Sequence, residues 1–146
     1  MKKLLFVTEK WCDGKPEMGL TNSYHNLFGS FKHSEMAKEY EFNVIHYDEI
    51  ATKGKHIDDF AKQIYDKTKP DVMLVTLLGT MACNPSERFF EVFKNAGCRV
   101  IFLWPDFGRD WTIRSAARFD KFIDLNVAIA CEKNGNYPKT HWTWTP

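Results

Sequence analysis

Five short apolar runs divide this chain, and stretches with a helical apolar pattern separate them. The runs at 4–7 and 100–103 are continuously apolar, which is typical of strands buried on both faces of a sheet. Between runs, apolar residues recur at i, i+3, i+4 and i+7, as at 57–64. Strands joined through helices run parallel, with right-handed crossovers. The sequence therefore predicts an α/β domain with a doubly wound, mostly parallel five-stranded Rossmann-like sheet and helices on both faces.

Punctuation residues place the elements along the chain. Asn22 can begin the first helix, Pro70 ends the second, and Asn84 with Pro85 and Glu87 forms a helix-start signature for the third. We expect the strand order 3-2-1-4-5. The domain should cover residues 1–131, and residues 132–146 should form a C-terminal tail or a crossover toward a second domain. The predicted strands are 4–7, 42–47, 71–77, 99–104 and 125–130.

Charge and cysteine usage exclude several classes of function. The 20 basic and 19 acidic residues give a net charge of +1, without the basic cluster that nucleic-acid binding requires. No apolar stretch approaches the roughly 20 residues of a membrane span. The four cysteines are widely spaced, and the histidines lack metal-ligand spacing, so we expect free thiols, a cytoplasmic location and no metal site.

Known cofactor motifs are missing from the loop that follows the first strand. It has neither the G-x-G-x-x-G dinucleotide fingerprint nor the G-x-x-x-x-G-K-[ST] phosphate loop, so we predict no cofactor. The acidic residues of a phosphorylated receiver domain are also missing, because Thr8-Glu9-Lys10 and Thr76-Leu77-Leu78 stand at those positions.

Candidate site residues follow from the predicted topology. Ligands of doubly wound sheets bind beyond the carboxyl ends of the strands, near the point where the strand order reverses. Asp13 or His25 could act as a general base toward an attacking hydroxyl, although Asp13 also suits a plain turn and His25 a solvated helix start. The candidate substrate-binding residues are Glu9, Trp11, Asn22, Ser23, Gly79, Thr80, Trp104 and Asp106.

Three segments together resemble a known family. The first strand Lys3–Val7, the helix-opening run Gly19–Leu27 and the strand entry Lys69–Leu74 are similar to the N-terminal domain of two-Rossmann-domain (GT-B type) glycosyltransferases of the group-1-like and spore-maturation-protein-like kinds. The terminal Trp142–Pro146 resembles the segment that crosses toward their second domain.

The resemblance implies a sugar or glycan acceptor bound in a cleft of this domain. The nucleotide-sugar donor would bind only through a C-terminal domain that these 146 residues do not include, so we expect no sugar transfer by the chain alone. A homodimer could cover the surface that such a domain would otherwise contact.

Two other classes of function stay open. A stand-alone flavodoxin-like binding or regulatory module would need no catalytic residues. A small hydrolase or nucleoside-processing enzyme would need a nucleophile beside a base, and no G-x-S-x-G elbow is present.

Overall fold

The computed structural model describes residues 1–105, 110–129 and 140–143. These residues form an α/β domain, which confirms the predicted class. The strands match the apolar runs of the sequence, with one addition near the C-terminus. They are β1 (Lys2–Thr8), β2 (Tyr40–His46), β3 (Val72–Val75), β4 (Arg99–Trp104), β5 (Leu125–Ile129) and β6 (Thr140–Thr143).

The six strands form one parallel sheet in the order β2-β1-β3-β4-β5-β6. The predicted order 3-2-1-4-5 is wrong, because β3 pairs with β1 on the side opposite to β2, with Leu5 beside Met73 and Val7 beside Val75. The chain therefore reverses its direction of winding between β1 and β3. The predicted tail contributes β6, which pairs with β5; its residues 132–139 and 144–146 lie outside the described part.

Within the described ranges, helices α1 to α5 connect the strands. Helix α1 begins as a π-helical segment and continues as a short α-helix that ends at Lys32, and a separate 3-10 turn, Glu35–Glu39, follows it. Helix α3 follows directly on a 3-10 turn, Ile57–Phe60. The helices are α1 (Tyr24–Gly29 with Ser30–Lys32), α2 (Tyr47–Ala51), α3 (Ala61–Thr68), α4 (Glu87–Asn95) and α5 (Asp110–Phe119).

One face of the sheet carries most of the hydrophobic core. The phenylalanine stripe of α4 packs here, and Phe90 lies 5.3 Å from the Phe102 ring of β4 and 5.2 Å from Phe119 of α5. Phe89 and Phe93 are also fully buried. Burial on this scale stabilises the fold by roughly 1.5–3 kcal/mol per large side chain.

Helix α1 covers part of the other face. Its Phe28 packs 5.7 Å from Phe6 of β1 and 5.7 Å from Phe42 of β2. The apolar side chains of β3, β4 and β5 on this face are only partly buried. They are Val72, Leu74, Ile101, Leu103, Leu125 and Val127.

The start of α4 differs from the prediction. Ser86 caps it, with its hydroxyl accepting a bond from the Arg88 backbone N–H at 3.2 Å. The Asn84 side chain is engaged elsewhere, because its carbonyl oxygen accepts from Leu78 N–H at 3.0 Å and its amide donates to the Gly79 carbonyl at 3.1 Å. Asn84 therefore shapes the preceding loop.

Cys12, Cys83 and Cys98 are free thiols, as predicted, and Cys131 lies outside the described residues. Across the described ranges, every helix is too short or too polar to cross a bilayer.

Candidate functional site

The reversal of winding between β1 and β3 defines the candidate site. The loop after β1 leads to α1, which packs against Phe6 on one face of the sheet. The loop after β3 leads to α4, whose phenylalanines pack against Phe102 on the opposite face. Two loops that leave in opposite directions open a crevice between neighbouring strand ends, which is where ligands of such sheets bind.

A buried carboxylate, that of Glu9, lies at this crevice. Glu9 is 2% exposed, and its Oε2 accepts bonds from the Thr76 hydroxyl at 2.6 Å and the Tyr47 hydroxyl at 3.2 Å. Tyr47 can also donate to the Thr76 carbonyl, at 3.2 Å. Burying a carboxylate without hydrogen bonds is costly, so these bonds stabilise Glu9 in its buried position. They also join the ends of β1, β2 and β3.

The hydroxyl protons around Glu9 can be arranged without conflict. The Thr8 and Thr76 hydroxyl oxygens are 2.6 Å apart, and Thr76 donates to Glu9. If Thr8 donates to Thr76, each hydroxyl donates one proton and the series ends on the carboxylate, an arrangement in which the bonds strengthen one another. Burial, reinforced by the Glu9 charge, raises the pKa of the Tyr47 phenol well above its usual value, so Tyr47 stays protonated at neutral pH.

A second buried carboxylate, Asp48, fixes the start of the loop after β1. Asp48 is 1% exposed, and its Oδ2 accepts the backbone N–H groups of Lys10 at 2.9 Å and Trp11 at 2.8 Å. Its Oδ1 accepts from Glu49 N–H at 3.0 Å. Asp48 was not among the candidate site residues; its position directly after the predicted second strand, at the predicted ligand edge, was the available signal.

The loop after β1 folds back on itself as a hairpin. Thr21 N–H donates to the Lys10 carbonyl at 2.9 Å, and Cys12 N–H donates to the Gly19 carbonyl at 2.8 Å. Gly14 lies close to the core of the site, since a Cβ there would stand 3.7 Å from Leu78. The loop is therefore an ordered wall of the site.

The loop after β3 forms one side of a polar cleft of about 270 Å³. Gly79 adopts a left-handed φ of +50°, a conformation that a residue with a Cβ adopts at a cost of roughly 1–2 kcal/mol. Helix α5 forms the opposite side. The polar or small residues that line this cleft include His56, Gly79, Thr80, Asn84, Ser115 and Arg118, and Leu77, Met81, Pro85 and Phe119 add apolar surface.

A serine, an aspartate and a histidine meet beside this cleft, but not in the order that activates a nucleophile. The Ser86 hydroxyl bonds to the Asp58 carboxylate, and Asp58 Oδ2 lies 3.4 Å from His56 Nδ1. His56 Nε2 lies 3.0 Å from the Ala82 carbonyl. A hydrolase needs the histidine next to the serine, so this group stabilises the loop and gives no support to the hydrolase alternative.

The two candidate bases lie on different elements. Asp13 is exposed and has a φ of +50° at the tip of the hairpin, as its turn interpretation implies. His25 is exposed on α1, its ring 6.0 Å from that of Tyr24, and it lines a groove of about 390 Å³ on the outside of that helix. Asn22 is exposed and Ser23 partly buried just before α1.

The other predicted substrate-binding residues divide into three groups. Gly79 and Thr80 line the polar cleft. Trp11 is partly buried, with Lys10 Nζ 4.7 Å from its ring centre, so that ring already has a cation on one side. Trp104 is 1% exposed and donates its indole N–H to Asn126 at 2.7 Å, which makes it a core residue and not an exposed ring platform. Asp106 lies outside the described residues.

Titratable groups near the site are shifted mainly by burial. Burial lowers the pKa of His46, whose Nδ1 is buried and has no hydrogen-bond partner. Burial, with the Asp48 charge second, raises the pKa of Cys83. Within the described ranges, no three histidine, cysteine or acidic side chains are grouped to hold a metal ion.

No family model, curated protein or solved structure matches this chain. Its site is therefore characterised by its own geometry: two buried carboxylates and an ordered hairpin at the β1–β3 reversal point, and a polar cleft between the loop after β3 and helix α5.

Proposed function

We propose that this chain is the acceptor-side domain of a glycosyltransferase. In this proposal, the polar cleft between the β3 loop and α5 binds the hydroxyl groups of an acceptor sugar. The observation that carries the proposal is the location of this cleft. It opens beside the carboxyl end of β3, where the Thr76 hydroxyl bonds to Glu9.

The lining of the cleft suits an uncharged, hydroxyl-rich ligand. Thr80 and Ser115 offer hydroxyls, and Asn84 lies beside them with its side chain bonded to the loop backbone. The single arginine of the lining, Arg118, is paired with Glu87 at 3.2 Å, a carboxylate that Lys121 also contacts at 3.2 Å. A phosphate ligand would favour unpaired cations or a glycine-rich loop, whereas sugar hydroxyls pair with neutral groups of this kind.

The catalytic roles are a separate part of the proposal, because neither Asp13 nor His25 lines the polar cleft. Asp13 or His25 would take the proton of the acceptor hydroxyl, and a further domain would supply the nucleotide-sugar. Activity that is unchanged after Asp13→Ala and His25→Ala, measured in an enzyme containing both domains, would remove those two assignments.

One observation favours the flavodoxin-like binding module as a second candidate. The order β2-β1-β3-β4-β5 is the flavodoxin-like order, in which the ligand site lies between β1 and β3. That module would bind its ligand at the β1–β3 crevice without a second domain, whereas the proposed sugar cleft lies between the β3 loop and α5, so ligand chemistry and location both separate the two candidates.

A ligand panel provides the test. Saturation-transfer NMR with the chain, a set of mono- and disaccharides, and FMN and UDP should give saccharide signals only. Thr80→Val should weaken saccharide binding about fivefold, the equivalent of one hydrogen bond, whereas Thr52→Val outside the cleft should not. Binding of FMN or UDP without saccharide binding would favour the module, and no binding at all would refute the proposed cleft.

A further inference from the structure

A second groove lies at the opposite edge of the sheet from β6, between β2 and α3. Its floor is apolar and consists of Ile45, Ile50, Phe60 and Ile64, and its volume is about 360 Å³. Ile64 is 8% exposed, and the other three are partly buried against the hydrophobic core. The floor is therefore part of the packed domain, and its outer side is open to solvent.

Three lysines form the rim of this groove. Lys53, Lys55 and Lys67 line it and are exposed, and Lys55 Nζ lies 5.6 Å from the centre of the Phe60 ring. None of the three forms an ion pair with a residue in the described ranges. Other lysines are paired; Lys10 and Lys94 each lie 2.7 Å from a carboxylate oxygen.

An apolar floor under an unbalanced positive rim selects one ligand chemistry. We propose that this lysine-rimmed groove binds a small amphipathic anion, an alkyl chain or other apolar body that ends in a carboxylate. The chain would lie on Ile50 and Phe60 while the carboxylate reaches the ammonium groups. Its volume is within the roughly 300–1,000 Å³ of small-molecule sites.

Charge complementarity decides between occupants. A neutral apolar ligand would gain nothing from the three exposed ammonium groups, and a cationic one would be repelled. The floor is too apolar for a purely polar anion, because displaced water would not be replaced by hydrogen bonds. The groove is lined by none of the residues of the polar cleft, so this proposal does not depend on the proposed sugar-binding function.

Isothermal titration calorimetry with decanoate, kept below micelle formation, tests the site. We expect saturable one-to-one binding, weakened by salt, and about two- to fourfold tighter for each methylene added from octanoate to decanoate. Decyltrimethylammonium, with the same chain and the opposite charge, should not bind.

A matched pair of triple variants locates the binding. Lys53→Gln, Lys55→Gln and Lys67→Gln together should weaken decanoate binding about tenfold at low ionic strength. The control triple Lys2→Gln, Lys15→Gln and Lys62→Gln removes the same charge outside the groove and should bind as the wild type does. Equal weakening by both triples, equal binding of the cationic amphiphile, or binding only above the micelle concentration would each overturn the proposal.

Discussion

Asp48 should contribute strongly to the stability of the domain. Its carboxylate is 1% exposed and accepts three backbone N–H groups, those of Lys10, Trp11 and Glu49. In Asp48→Asn, the new NH₂ group must face at least one of these donors. One bond is lost outright, and the remaining bonds change from charge-assisted to neutral.

The size of the effect follows from these three bonds. A lost bond to a buried donor costs about 1–2 kcal/mol, and each weakened bond costs about 1 kcal/mol more. Asp48→Asn should therefore lower the free energy of unfolding by about 3 kcal/mol. With a urea dependence of about 2 kcal/mol/M, the unfolding midpoint should fall by about 1.5 M.

Urea unfolding followed by circular dichroism measures this shift, and amide exchange locates it. The Lys10 and Trp11 amides should exchange faster in Asp48→Asn. Asp59→Asn is the matched control, because Asp59 is exposed and its side chain forms no ion pair with a residue in the described ranges. A midpoint within about 0.2 M of wild type in Asp48→Asn would refute the view that this carboxylate anchors the hairpin.

Three further predictions concern single residues. Gly79→Ala should lower the free energy of unfolding in urea by about 1 kcal/mol and should also weaken saccharide binding. Gly54→Ala, also at a positive φ, is the control and should leave saccharide binding unchanged. Burial lowers the pKa of His46 in the folded state, so the unfolded state binds the proton first as the pH falls. The free energy of unfolding should therefore decrease as the pH falls below about 6.5. This decrease should be less steep in His46→Gln than in His33→Gln. Burial raises the pKa of Cys98 to about 12, so Cys98→Ala should leave the number of thiols that react rapidly with Ellman's reagent at pH 8 unchanged.

Local patterns in the sequence predicted most of the elements but not their arrangement. The apolar spacing at 57–64 predicted a helical stripe, and Ile57, Ala61 and Ile64 are buried. The strand order could not be predicted, because an apolar strand such as β3 can pair on either side of β1 and periodicity does not distinguish the two.

The candidate site was predicted at the level of loops and less well at the level of residues. Glu9 was identified from its position after β1, yet its partners Tyr47 and Thr76 lie 38 and 67 positions along the chain. Trp104 shows the opposite error. An indole at the end of a strand suggested a ligand platform, but the alternation of β4 directs it into the core, where it bonds to Asn126.

Mapping a bound saccharide by amide chemical shifts tests the central claim most directly. With ¹⁵N-labelled protein and the saccharide that binds best in the ligand panel, the largest shifts should fall on the loop 77–86, with Gly79 and Thr80 among them, and on Ser115 and Arg118 of α5. That result would place a sugar in the polar cleft beside the carboxyl end of β3. Shifts confined to other surfaces, or none at saturating saccharide, would contradict the account.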